Sequence, residues 1–319
     1  MALKLASVIA AIAVVGVASL RVRAAAAQEV APPRLGGYVQ VRSTAQERVG
    51  FTTFINRARL SAEGQIPTRF SYRLLIEYEA SAGRNLPAMV SLREAMIRWQ
   101  LGSFTATAGQ LKVPFSKEYL IPVPNLETAD FAAVVDSLAP KYDLGLQGDY
   151  AVGPYGNLIL GVFNGEGQNS IANRDSVVMA VARAVVRPVA QLALGANATR
   201  DGADSLRWGV EGTFETWGAM VRSEYITRHR RGRDRADDDF GWYVLGGLRV
   251  VPLAQLLVRV EDFQRPAYGA ARRVRGPTLG VNLDLVPSRV RLLIEGVRKY
   301  SGARSVKTEQ LLAQLQARF

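Results

Sequence analysis

The feature that most constrains this chain is a repeated amphipathic segment. From Leu35 to Phe319 the sequence divides into sixteen stretches in which apolar and polar side chains alternate. In the third stretch Phe70, Tyr72, Leu74, Ile76 and Tyr78 fall on one face, and Ser71, Arg73, Glu77 and Glu79 on the other. In the last, Leu311, Ala313, Leu315, Ala317 and Phe319 oppose Leu312, Gln314, Gln316 and Arg318. Period-two alternation describes a strand with two differently solvated sides. Each stretch is about ten residues long, which a tilted strand needs to cross a bilayer. The rival reading of such segments is an exported soluble β-rich protein with a packed core.

The sixteen expected strands are spread over the whole chain. The first five are Gly36–Arg42, a stretch from Phe54 to Glu63, Phe70–Glu79, Glu94–Trp99 and Phe104–Lys112. Tyr142–Tyr150, Leu158–Phe163, Val177–Arg187, Gln191–Thr199 and Arg207–Glu215 follow. The last six are Ala219–Arg228, Phe240–Val250, Gln255–Phe263, Thr278–Leu285, Arg289–Lys299 and Leu311–Phe319.

The connections alternate between tight and long. Gly64–Pro67, Gly102-Ser103, Val152–Pro154, Arg187-Pro188, Val251-Pro252 and Val286-Pro287 carry turn formers. Ser43–Gly50, Ser81–Pro87, Asn164–Asp175, His229–Asp239, Arg265–Gly276 and Ser301–Lys307 are polar and charged. Tight turns at one rim and long loops at the other, with an even strand count, are the pattern of a transmembrane β-barrel. Closure leaves no unpaired edge, as lipid requires. Phe70, Trp99, Phe104, Tyr150, Phe214, Trp217 and Trp242 lie near expected strand ends, where aromatic rings meet headgroups.

Composition agrees with this fold class. Beyond the first twenty residues no run of 18 apolar residues occurs, so a membrane-crossing helix is not expected, and mean hydropathy is only +0.03. A barrel reads this way because every second residue faces water. Hydrophobic residues at 48% exclude general disorder, and the absence of cysteine excludes disulfides and thiolate metal sites. The formal charge of +12 points to anionic partners.

At the amino terminus Lys4 precedes an apolar run from Leu5 to Leu20, then Arg21, Arg23 and Ala24–Ala27. This is the layout of a secretory signal with cleavage after Ala27. The expected domains are therefore a signal peptide over 1–27 and a barrel over 28–319. Loss of three positive charges with the leader would lower +12 to +9.

The most specific local sequence surrounds the longest connection. Gly109-Gln110-Leu111-Lys112-Val113-Pro114-Phe115 leaves one strand, and Asp143-Leu144-Gly145-Leu146-Gln147 opens the next. With Phe163-Asn164-Gly165 and the terminal Leu311–Phe319, the chain resembles the phosphate-selective porin O and P family. The resemblance covers nearly all of the chain after the leader. It implies an all-β transmembrane antiparallel barrel of about 16 strands in the bacterial outer membrane, commonly trimeric. Its third long loop, here Val113 to Pro140, would fold inward. The family passes small anions such as phosphate by passive diffusion, past inward Arg and Lys. Outer-membrane lipid, lipopolysaccharide and small anionic or polar solutes are the implied partners.

The residues themselves support a pore more strongly than they support phosphate. Arg57, Arg59, Arg73, Arg98 and Lys112 gather on the polar faces of strands two to five, with Arg222, Arg259 and Arg291 farther on. A guanidinium offers a planar fork suited to oxyanions, and rings of Arg or Lys make anion pores. Many acids, among them Glu63, Glu77, Glu94 and Glu211, share those faces and would cancel much of the field. The long connection carries Glu118, Glu127, Asp130 and Asp136 against Lys117 and Lys141. A basic wall facing an acidic loop would create a transverse field suited to general diffusion. The constriction candidates are thus Arg57, Arg59, Arg73, Arg98, Lys112, Lys117, Glu118, Asp130, Asp136, Arg222, Arg259 and Arg291. A non-selective general-diffusion porin is the alternative, with a barrel enzyme or a soluble exported binding protein behind it.

Catalytic, cofactor and metal sites are not expected. His229 is the only histidine and falls among arginines in an expected loop, with no nucleophile pattern beside it. Asp237-Asp238-Asp239 lacks the spacing of a calcium loop and is expected to balance Arg228–Arg235. Arg230-Arg231-Gly232-Arg233 and Arg272-Arg273-Val274-Arg275 could meet phosphates, but an exported strand-repeat chain has little access to nucleic acid.

Overall fold

In a computed structural model, the described residues are 31–47, 49–79, 89–170, 173, 176–202, 205–266, 272–302 and 306–319. The expected signal peptide and the expected long connection over 81–87 lie outside them. Alternation is realised as strands throughout. They are β1 (Arg34–Gln46), β2 (Gly50–Ile66), β3 (Phe70–Glu79), β4 (Met89–Leu101), β5 (Phe104–Lys112) and β6 (Tyr142–Ala151). Next come β7 (Gly156–Phe163), β8 (Met179–Val189), β9 (Leu192–Asp201), β10 (Ser205–Thr216) and β11 (Ala219–Arg230). The series ends with β12 (Asp239–Val251), β13 (Ala254–Arg265), β14 (Arg272–Val286), β15 (Val290–Ser301) and β16 (Val306–Arg318). Two short helices, α1 (Lys117–Leu120) and α2 (Ala133–Leu138), lie between β5 and β6.

Each strand pairs antiparallel with its chain neighbours, and β1 pairs with β16, so the sheet closes. The seam runs from Tyr38↔Arg318 to Gln46↔Gln310. Backbone bonds between Gly37 and Phe319, 3.1 Å in each direction, finish it. The two faces separate as the pattern requires. Outward Leu74, Ile76, Val244, Leu248, Leu279, Leu311 and Leu315 are exposed on the apolar side, whereas Glu77, Tyr243, Leu312, Gln314 and Gln316 are buried on the other. Large side chains left out of a core at this density make a lipid-facing band. Phe70, Phe104, Tyr150, Phe214 and Trp217 are exposed at strand ends and turns on the short-connection rim, and the exposed Trp242 lies near the opposite rim.

Two irregularities change which residues face inward. The β1–β2 register steps from Gln40↔Arg57 to Val41↔Ile55, leaving Asn56 as an extra residue. The β3–β4 register steps from Leu75↔Glu94 to Ile76↔Leu92, leaving Arg93. A bulge re-aims a side chain and bends its strand. Asn56 is accordingly buried and donates to Gln40 Oε1 at 3.2 Å and Gln314 Oε1 at 3.1 Å.

Several strands run beyond their expected ends. The polar stretch Ser43–Gly50 was expected as a long loop, but β1 continues to Gln46 and β2 resumes at Gly50, with Ser43 Oγ 2.9 Å from Thr53 Oγ1. Arg272, Arg273 and Arg275, expected in a loop, begin β14, where Arg273 pairs with Asp262. His229 is likewise in β11, not a loop, and its Nδ1 lies 2.7 Å from Asp238. Asp239 accepts from Arg228 at 2.5 Å and Arg230 at 2.7 Å, as the charge pattern suggested. Above the apolar band both faces are wet, so the backbone ladder persists while the hydrophobic signal stops.

Candidate functional site

The candidate site is built around residues 113–141, between β5 and β6. The turn out of β5 places Ser116 at a left-handed φ of 64°, and its Oγ accepts the Tyr119 backbone N–H at 3.2 Å to cap α1. The apolar side of this segment packs on buried apolar residues of the strands. Val113, Phe115, Val134, Val135 and Leu138 join Met220, Ile226, Tyr243, Leu245, Leu257 and Phe263 from β11–β13. A smaller cluster ties Val123 and Leu126 to Tyr38 on β1. Gly241 permits the approach of α2, since a Cβ there would lie 3.0 Å from Val134 Cβ and 2.6 Å from the Asp262 carbonyl oxygen.

Polar groups from the wall fix the same segment. Glu224 accepts the Glu118 backbone N–H at 2.6 Å, Glu295 that of Ala129 at 2.7 Å, and Glu261 that of Ala133 at 2.8 Å. Arg222 grips Glu127 with two bonds of 2.7 and 3.0 Å. Arg42 donates to Asp130 at 2.9 Å and to the Ala129 carbonyl at 3.0 Å. Arg259 donates to Thr128 Oγ1 at 2.8 Å and the Asp130 carbonyl at 2.7 Å. Lys112 Nζ reaches the carbonyls of Tyr119 at 2.5 Å and Ile121 at 3.0 Å. Arg291 bonds Asp284 at 2.8 Å and approaches the Leu126 carbonyl at 3.4 Å.

Acids of the segment are engaged by these contacts. Glu118 is fully buried; its Oε2 accepts the Ala132 N–H at 2.9 Å and Arg259 lies 3.7 Å from its Oε1. Burial pushes the Glu118 carboxyl up to about 8 against the pull of Arg259. Lys117 is pushed below its usual value by burial and by Arg222 and Arg183. The expected acidic loop opposite a basic wall is therefore not what forms. Glu127 and Asp130 are spent on Arg222 and Arg42, and Glu118 faces Arg259. Of the four acids, Asp136 borders the basic cavity described next, bonded to Lys141 at 2.7 Å.

Two cavities adjoin the segment on the side of β2–β6. The larger, about 400 Å³, holds Arg59, Arg73, Arg98, Lys112 and Arg318 with Glu94 as its one acid among the described residues. The smaller, about 90 Å³, holds Arg57, Arg59, Arg93, Lys112 and Lys141 with Glu77 and Asp136. Arg59 and Lys112 border both. Several of these cations have partners. Arg59 pairs with Glu77, Arg73 bonds Glu63 at 2.6 Å and Glu94 at 2.7 Å, and Arg93 bonds Glu77 at 2.6 Å.

The sequence candidates thus divide into two groups. Arg57, Arg59, Arg73, Arg98 and Lys112 line the cavities, as does Asp136. Glu118, Asp130, Arg222, Arg259 and Arg291 engage in holding the segment or its supporting wall, and Lys117 lies on α1. Arg93 and Asn56 were missed because each occupies a bulge that strict alternation places outward. Arg42, the last residue of the first expected strand, was given no role. The inner apolar patch had a signal: Met179, Val181, Ile226 and Leu245 interrupt faces that should be polar.

Comparison with known proteins fits this architecture. No curated protein sequence matches the chain. Solved outer-membrane barrels do. A loop L8 deletion mutant of OmpT, an outer membrane protein of Vibrio cholerae, has TM-score 0.68 and 14% identity, covering 90% of this chain and 99% of its own. The trimer form of in-vitro folded OmpT from Vibrio cholerae has TM-score 0.64 and 12% identity, with 90% and 99% covered. A mutant of the Rh. blastica porin has TM-score 0.61 and 14% identity, with 90% and 100% covered. At these identities the likeness concerns the fold. The sequence profile described as "Phosphate-selective porin O and P" matches residues 37–245, well over half of the chain, and the chain belongs to that family.

Proposed function

We propose that this outer-membrane porin passes small hydrophilic solutes with a preference for anions such as phosphate, through a constriction bounded by residues 113–141 and the basic wall of β2–β5. The observation carrying the reading is the charge on the two cavities: eight cationic side chains border them against Glu77, Glu94 and Asp136. Side chains of β1, β11, β13 and β15 bind side chains and backbone groups of the segment, which favours a segment folded into the barrel. A chain of this kind acts as a passive channel without catalysis or cofactor. In the outer membrane it contacts lipopolysaccharide, and it assembles as a homotrimer, the state named for one OmpT structure. The leader through Ala27 is removed on export, a cut that amino-terminal sequencing of the membrane form checks.

General diffusion with little selectivity is the second reading. It is favoured by the pairing of Arg59 with Glu77, Arg183 with Glu211, and Arg73 with Glu63 and Glu94. Zero-current potentials in a salt gradient across a planar bilayer separate the two. Anion preference that falls when Arg57→Ala and Arg59→Ala are combined supports the proposal. A cation-selective potential, or one the double substitution leaves in place, contradicts it.

A further inference from the structure

The larger cavity combines two chemistries that inorganic phosphate does not need together. Part of the lining is basic: Arg59, Arg73, Arg98, Lys112 and Arg318. Beside these the lining is hydrocarbon: Leu75, Met96 and Leu111 from the wall, with Leu120, Pro122 and Pro124 from the segment. Residues 120–124, Leu-Ile-Pro-Val-Pro, carry no charge at all. At about 400 Å³ the space falls within the range of small-molecule sites.

The cations are not equally available. Arg59 is bound to Glu77, and Arg73 to both Glu63 and Glu94. Lys112 is bound to two backbone carbonyls, and Arg318 to Asn125 and the Pro124 carbonyl. Arg98 has no ion-pair or hydrogen-bond partner among the described residues. A dehydrated phosphate dianion needs several converging free donors. One free guanidinium fork instead matches one carboxylate, bidentate. The apolar lining then receives whatever body that carboxylate carries, and Met96 supplies an adaptable contact.

We infer that this cavity is a subsite for organic monocarboxylates with a compact apolar body, aromatic or branched, with the carboxylate on Arg98 and the body between Met96 and Leu120. The inference rests on the porin reading and adds a solute class to it. Each methylene equivalent buried is worth about fourfold in affinity, so a benzoate-sized body gains at least about tenfold over acetate.

The experiment uses the purified full chain in planar bilayers. Zero-current potential in a KCl gradient comes first: absence of conductance or cation selectivity overturns the porin reading itself. In an anion-passing channel, benzoate, acetate and phosphate are then titrated at fixed ionic strength while single-channel chloride current is read. Benzoate is expected to halve the current at a concentration at least about tenfold below acetate and phosphate. Met96→Gln and, independently on the segment, Leu120→Ser should each raise the benzoate value several-fold and leave the acetate value in place. Arg98→Gln should raise both. Phosphate blocking as well as benzoate overturns the subsite. So does a benzoate value unmoved by both apolar substitutions, or one that moves in step with acetate.

Discussion

Arg222→Ala tests how the segment between β5 and β6 is held. Arg222 makes two bonds to Glu127, at 2.7 and 3.0 Å, and the side chains are only 4% and 17% exposed. Removing one partner of a buried pair costs about 3–5 kcal/mol, mostly because the remaining charge is stranded. A cavity of about 410 Å³ beside Glu127 lets water reach that carboxylate, so the low end, about 3 kcal/mol, is expected. The cost falls on docking of the segment, since the ladder of β11 is untouched. It shifts the docked-to-released ratio by about a hundredfold. Single-channel recordings should show new open-channel current fluctuations, and the segment should become sensitive to protease in the folded barrel. Arg222→Met combined with Glu127→Leu removes both charges and should return both readouts most of the way, because an apolar pair of similar volume is often neutral. Unchanged readouts in Arg222→Ala, or a double variant as loose as the single one, would refute the reasoning.

Glu118 gives a pH dependence of defined sign. Burial, with Glu224 nearby, raises its carboxyl to about 8 in the docked segment against the pull of Arg259 and Arg222, from an ordinary 4.5. The Glu118 contribution to docking is therefore strongest below 4.5, weakens as pH rises toward 8 and is flat above it; current fluctuations between pH 5 and 9 should grow upward, and Glu118→Gln should make that slope shallower. On the outer face, Leu74→Arg should cost about 2–4 kcal/mol in urea-induced unfolding from lipid vesicles, while Ser71→Arg on the same strand costs far less. Gly241→Ala places a Cβ 2.6 Å from the Asp262 carbonyl oxygen and 3.0 Å from Val134 Cβ. It should displace α2 at a cost of about 1–3 kcal/mol, read as added current fluctuation with the barrel still heat-modifiable on a gel.

Much of the architecture was legible because lipid enforces a simple rule on each strand. The ends of β3 and β5 agree with the expected Phe70–Glu79 and Phe104–Lys112, where alternation begins and ends inside the apolar band. Legibility fails where that rule stops applying. Around Ser43–Gly50 both faces are wet, so nothing in the pattern marks the continuing ladder. At Arg93 one extra residue reverses the face of its neighbours, and no local residue type announces it. Candidate cations were found on the correct faces, but their roles depend on partners far away in the chain. Arg222 and Arg59 look alike in sequence; one holds Glu127 of the segment and the other borders the open cavities. The acids Glu127 and Asp130 could be read as a loop charge but not as ties to β11 and β1.

Because the chain has no native cysteine, single cysteines along β3 give the most direct test of the two-faced wall. A membrane-impermeant charged thiol reagent and a lipid-borne quencher would be applied to positions 70 through 76 in reconstituted protein. Water-side labelling at 71, 73 and 75 with quenching from lipid at 70, 72, 74 and 76 is the outcome expected of this barrel. Equal protection of odd and even positions from both probes, as in a solid protein interior, would contradict it.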